Sequence, residues 1–151
     1  MPQLVKGGKH TFGWSKVGDD GGVVIPPEAV AEYRLAAAEE AILISGSATT
    51  GGFSLCKPES LLKSPLGRVL KELPAAEPGD EVITVRGRSF CRVTVSKGRF
   101  VLPPRALTAY GIKPGSRLLS IRGSNLGVSF GARGPIIEEA KRHPELEVFE
   151  P

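Results

Sequence analysis

A chain of 151 residues holds one ordinary domain or two very small ones. Its 19 glycines and 13 prolines imply many turns and short elements and argue against long helices. The net charge is +4, no apolar run approaches the roughly 20 residues of a bilayer span, and the first residues lack the apolar core of a signal peptide. A soluble cytoplasmic protein without membrane contact is expected.

In chain order, the first elements lie between His10 and Cys56. Phe12 and Trp14 are spaced by two near a strand start, where packing in a core or at a barrel end is a commoner role than stacking on a base. Val23-Val24-Ile25 reads as a short strand ended by Pro26-Pro27, followed by a short helix and a strand through Ile42 and Ile44. The stretch from Gly46 to Gly52 is a hairpin tip, and Phe53-Ser54-Leu55 is the returning strand. Residues 57–80 differ in kind. Pro58 opens a linker helix with Leu61, Leu62, Leu66, Val69, Leu70 and Leu73 at three- and four-residue spacings. Pro65 interrupts it, and Glu77-Pro78-Gly79-Asp80 closes it with a turn.

The next strand carries Arg86, Arg88 and Arg92 at one parity and Val85, Val93 and Val95 at the other. Period-2 alternation puts the three guanidinium groups on one solvent face. Cys91, in the same run, reads as a buried free thiol. Lys97 and Arg99 flank Gly98 at a tight turn. Phe100-Val101-Leu102 is a strand that Pro103 ends, Pro104 starts a helix from Arg105 to Tyr110, and Gly111 supplies its left-handed stop. After the Lys113-Pro114-Gly115 turn, residues 117–122 form a strand, Gly123 to Gly127 a hairpin tip, and Val128-Ser129-Phe130 the returning strand. Gly134-Pro135 starts a last helix through about His143, whose apolar stripe is Ile136, Ile137 and Ala140, and Pro144 breaks it.

The second run of elements repeats the first. Val23 to Pro27 matches Phe100 to Pro104 at an offset of 77 residues. The offset holds through Ala29 and Ala106, Tyr33 and Tyr110, Leu35 and Ile112, Ile42 and Leu119, and Ile44 and Ile121. Four segments result: a first copy at 8–56, a helical linker at 57–80, a second copy at 81–131, and a helix and tail at 132–151. Each copy alone is too small to cover its apolar strands.

The Gly98-Arg99, apolar triplet, Pro103, short helix, Gly111-Ile112, Lys113-Pro114-Gly115 and strand pattern resembles the AbrB/MazE/SpoVT family of swapped-hairpin transcription regulators. The resemblance implies a mainly β fold with short helices. It would be a swapped-hairpin, double-psi-like (cradle-loop) β-barrel made from two βαββ repeats, closed within one chain or between two. It also implies that basic residues before and at the Gly-Arg turn contact DNA, here Arg92 and Arg99. The family's basic pair in the short helix falls on Leu107 and Thr108, and Arg105 stands one turn earlier. In the first copy Gly22 stands where Arg99 stands, and Ser15 roughly where Arg92 stands.

Charge divides the copies. From Arg86 to Arg133 the chain has Arg86, Arg88, Arg92, Lys97, Arg99, Arg105, Lys113, Arg117, Arg122 and Arg133 and no acidic residue. The first copy carries Asp19, Asp20, Glu28, Glu32, Glu39 and Glu40. This asymmetry suggests one surface for polyanions and another for something else. The expected nucleic-acid-binding residues are Arg86, Arg88, Arg92, Lys97, Arg99 and Arg105, with arginine suited to bidentate phosphate or guanine contact. A ridge touching about five phosphates gives a log–log salt slope of around −4 to −5. The acidic face of the first copy could instead pair with the basic face of a neighbouring molecule.

No catalytic arrangement is legible. His10 lies in a Gly/Lys-rich entry segment and His143 near the chain end, adjacent acids such as Asp19-Asp20 would diverge on a strand, and no phosphate loop is present. Two cysteines and two histidines without metal-ligand spacing leave no expected metal or other cofactor. The expectation is a non-enzymatic regulator that binds duplex DNA as a homodimer or higher homo-oligomer. The alternative is a protein-interaction module, antitoxin-like or scaffold, with little DNA affinity, holding a partner through the acidic copy and the C-terminal helix.

Overall fold

Proline and glycine punctuation cuts the chain into short elements, and the strands must find partners far away in sequence. The computed structural model describes residues 10–35, 39–63, 82–85, 87–122 and 127–151. The first run is β1 Thr11–Lys16, β2 Gly22–Val24, α1 Pro27–Glu32, β3 Glu39–Ser45, β4 Phe53–Cys56 and α2 Pro58–Leu62. The second is β5 Val82–Val85, β6 Arg88–Val95, β7 Arg99–Val101, α3 Pro104–Ala109, β8 Arg117–Arg122, β9 Gly127–Gly131, α4 Pro135–Ala140 and β10 Val148–Phe149. All four helices described open on a proline at the first turn, where a missing N–H costs nothing.

The protein is mainly β. Eight strands form one mixed sheet in the order β10-β1-β8-β9-β4-β3-β6-β5, and β2 pairs with β7 in a separate ribbon. Only β10 runs parallel to its neighbour, β1. The sheet is open, with β10 and β5 at its edges, so the closed barrel expected from the sequence is not found.

The pairing crosses between the copies. β1 pairs with β8 of the second copy, and β6 pairs with β3 of the first. β4 lies against β9 with Ser54 opposite Ser129, and β2 lies against β7 with Val23 opposite Phe100. The turns are exchanged in the same way. Ile25 donates its N–H to the Gly98 carbonyl at 2.8 Å, and Leu102 donates to Gly21 at 2.9 Å. Each copy therefore satisfies backbone groups that the other leaves open.

Three apolar clusters hold the fold. The main one lies between the sheet and the ribbon and is centred on Phe53, Phe100 and Phe130, with ring centroids 5.0 to 5.9 Å apart. Tyr110 joins it 5.4 Å from Phe53, and its hydroxyl lies within 3.4 Å of the Leu43 and Ser89 carbonyls. Burial pushes its pKa well above the ordinary tyrosine value, with the nearby Cys91 adding to the shift. The other face of β3 and β6 carries Ile42, Ile44 and Phe90, covered by Leu61 of α2. The other face of β1 and β8 carries Trp14, Leu119 and Ile121, covered by Ile137 and Ala140 of α4 and by Leu146. Phe12 and Trp14 part company because the β1–β8 register shifts between Thr11 and Gly13. Phe12 enters the main cluster and Trp14 the outer one.

Other expectations change in detail. The strand read through Arg86, Arg88 and Arg92 is two strands, because Gly87, at φ 78°, lets a hairpin close between Val85 and Arg88. The linker helix is described only as α2, and residues 64–81 of the expected 57–80 lie outside the described residues. Most of the second hairpin tip, 123–126, also lies outside them. The last helix stops at Ala140 rather than about His143, and β10 follows it. Cys56 and Cys91 are free and buried, as read for Cys91, and burial pushes both thiols up to about 11. No helix among the described residues is long and apolar enough to cross a membrane.

Candidate nucleic-acid interface

Five of the six cations singled out by sequence lie among the described residues, and buried Phe90 separates Arg88 from Arg92. Arg86 lies outside the described residues. Arg88 is exposed at the start of β6, roughly 23 Å along the strand from its far end. Between Arg88 and Arg92, on the same face, sits Phe90, which is 2% exposed and belongs to the cluster under α2. The face expected to be solvent is therefore partly covered by apolar packing.

Arg92 is a structural residue as much as a surface one. Its side chain is 22% exposed, and Nη1 donates to Glu40 Oε1 from β3. Its Nε is buried without a hydrogen-bond partner among the described residues. Register explains the meeting: Arg92 stands opposite Ile42 and Thr94 opposite Glu40, so Arg92 and Glu40 are diagonal neighbours on one face.

Lys97, Arg99 and the turn between them are the most accessible part of the expected site. Lys97 holds a left-handed backbone at φ 54°, followed by Gly98 at φ 72°. Both Lys97 and Arg99 are exposed, and with Phe100, Val101 and Pro103 they border a groove of about 540 Å³. Val101 is the large apolar side chain most open to solvent among the described residues, at 47%. The strand period carried this signal, since Val101 must face away from the buried Phe100 and Leu102.

Arg99 reaches across the ribbon, with Nη2 3.9 Å from Asp20 Oδ2. Gly22 makes room for it: a Cβ there would collide with the guanidinium. The Gly22 N–H in turn donates to Asp20 Oδ1 at 2.8 Å, fixing the acidic turn. Gly22, read in sequence only as a lost arginine, is thus the seat of the arginine that remains.

Arg105 is exposed in the first turn of α3 and has no carboxylate within ion-pair distance among the described residues. The same holds for Arg88, Lys97, Lys113 and Arg117. The remaining cations are engaged within the chain. Arg122 forms a bidentate pair with Glu32, with Nε at 2.8 Å, and Arg133 donates from Nη2 to the Ala48 carbonyl at 2.9 Å. Three acids of the first copy, Asp20, Glu32 and Glu40, thus face three arginines of the second inside one molecule. Charge complementarity that the sequence could assign to a neighbouring molecule is met in part at home. Pairing across strands could not be read without the register.

No group of three His, Cys, Asp or Glu side chains among the described residues could hold a metal ion. Comparisons of the chain with protein-family models, with curated proteins and with solved structures give no match.

Proposed function

We infer that this chain is a DNA-binding regulator of the AbrB-like type, with two copies of the unit joined in a swapped-hairpin arrangement. The reciprocal pairing of β1 with β8 and β6 with β3 supports that architecture. The observation that carries the DNA reading is the exposed Lys97-Gly98-Arg99 turn, with Lys97 and Arg105 free of carboxylate partners among the described residues. Arg99 is held only loosely by Asp20, so a phosphate can displace that contact. The corresponding turn of the first copy is Asp20-Gly21-Gly22, preceded by Asp19, so it is acidic and each chain offers half of a basic surface. A homodimer would supply two halves on one rigid body and raise affinity through effective concentration. Backbone contacts dominate this reading, with shape rather than base edges giving preference.

The test is binding of duplex DNA by K97A/R99A/R105A against the unaltered chain. Loss of binding with unchanged melting temperature is expected, and unaltered binding would overturn the assignment. On this reading Arg92 supports β6 through its pair with Glu40 rather than contacting DNA. The second reading, a protein-interaction module, is favoured by the Val101 groove. It predicts no salt-sensitive DNA retention and an unchanged DNA profile in V101D.

A further inference from the structure

Each copy forms a cleft between the end of its first helix, the end of its hairpin and the helix that follows. In the second copy this cleft, about 480 Å³, is bordered by Gly111, Ala132 and Ala140. The C-terminal segment forms its other wall through Leu146 and Val148. The first copy's cleft, about 450 Å³, has Arg34, Lys57 and Lys63 at the matching places. Arg34 matches Gly111 at the offset of 77, Lys57 matches Ala132 in the returning strands, and Lys63 matches Ala140 counted from Pro58 and Pro135. At these three places small residues of the second copy are replaced by cations, while the second copy's cleft carries its own cations, Arg117 and Lys141, at other places on its wall.

Among the described residues the charge there is only partly cancelled. Of the two carboxylates at the cleft, Glu32 is held by Arg122 and Glu59 lies 3.7 Å from Lys57. Arg34 and Lys63 are exposed and have no carboxylate within ion-pair distance among the described residues. Ser60 adds a hydroxyl. Arg34 also adopts φ 55°, in the left-handed region where the sister copy uses glycine at φ 68°. A strained backbone kept at a cationic cleft points to a role for the side chain that folding alone does not require.

We propose that the cleft of Arg34, Lys57 and Lys63 binds the phosphate groups of a small molecule. Its volume suits a ligand up to nucleotide size. The guanidinium fork of Arg34 offers bidentate contact, and the two lysines act as point charges. The site is separate from the Lys97–Arg99 turn, so it stands or falls independently of the DNA reading.

The experiment is calorimetric titration of the full chain with orthophosphate, pyrophosphate and adenosine diphosphate. Saturable binding of at least one probe tighter than about 1 mM is expected. R34G/K57A/K63A, which installs the sister copy's own residues, should fold and bind that probe at least tenfold more weakly. K113A/R117A removes two cations elsewhere and should bind as before. Pyrophosphate binding as tightly as the nucleotide assigns recognition to phosphate alone, and tighter nucleotide binding adds the nucleoside. No saturation by any probe, equal binding by the triple variant, or an equal loss in K113A/R117A would overturn the proposal.

Discussion

Arg34 holds a backbone conformation that its side chain disfavours. The left-handed region costs a non-glycine residue about 1–2 kcal/mol, partly offset by the extra unfolded-state freedom of glycine. Arg34→Gly should therefore raise stability by up to about 1 kcal/mol in a urea titration while it weakens phosphate binding. A loss of stability would show that Arg34 serves the fold. Arg92 is the opposite case. Its side chain is largely buried, and removal leaves Glu40 unpaired at a partly covered face. Arg92→Ala should cost about 1–2 kcal/mol, whereas Arg105→Ala, at an exposed position, should stay within about 0.5 kcal/mol of the unaltered chain. Equal melting curves for the two variants would place Arg92 back among simple surface cations. Nothing in the local sequence distinguishes them, since both are arginines in the basic copy. What separates them is the β3–β6 register, a long-range property that no local pattern encodes. The thiols were easier to read, because Cys91 alternates with strand residues. With both thiols buried and raised to about 11, labelling at pH 8 should be negligible until the chain unfolds.

At the scale of elements, the two exchanged turns share a left-handed glycine but differ in the residue before it, left-handed at Lys97 and not at Asp20, and in surroundings. Gly21 at φ 86° accepts the Leu102 N–H and Gly98 at φ 72° accepts the equivalent Ile25 N–H, each from the opposite copy. A Cβ on Gly98 meets only Val30 at 3.5 Å, but one on Gly21 runs into the Leu102 carbonyl oxygen. Gly98→Ala should cost about 1–2 kcal/mol of backbone strain alone. Gly21→Ala should cost clearly more, and comparable unfolding midpoints would contradict the packing described for the ribbon. The C-terminal turn carries a pH dependence. His143 lies 2.8 Å from Glu145 through Nδ1 and 3.3 Å from Glu139 through Nε2, and the hydrogen bond to Glu145, then that to Glu139, raises its pKa above 6.5. Stability from the raised imidazolium is fully present below 6.5 and is lost as pH rises through the folded value. Glu145 is lowered from 4.5, first by its own backbone N–H and then by His143, so its contribution is present above 4.5 and is lost as pH falls through the folded value. The melting-temperature gap between the unaltered chain and H143A should be widest between 4.5 and 6.5 and close at higher pH. A gap that does not vary with pH would remove His143 from the docking of the tail.

Across the whole molecule, the elements were more legible than their assembly. Val23 to Pro27 and Phe100 to Pro104 announce strand ends and helix starts through local chemistry, and those elements form where the residues predict. The hairpin at Gly87 was missed because Arg86, Arg88 and Arg92 keep a strand's parity across a turn. Barrel closure was expected from the family resemblance, and the edges β10 and β5 remain unpaired with each other. Counting charges along the chain separated an acidic copy from a basic one. Folding then sets Asp20, Glu32 and Glu40 against Arg99, Arg122 and Arg92, which leaves fewer free cations than the count suggests. On the proposed DNA reading, Lys97, Arg99 and Arg105 would offer about three phosphate contacts rather than about five. The most direct measurement is fluorescence anisotropy of a mixed pool of duplex DNA titrated at several salt concentrations. The expected result is micromolar or tighter binding with a log–log salt slope near −3 per chain, falling by about one for each of Lys97 and Arg105 replaced by alanine. No binding at low salt, or a slope unchanged by those substitutions, would contradict the account and leave the Val101 groove as the surface to pursue.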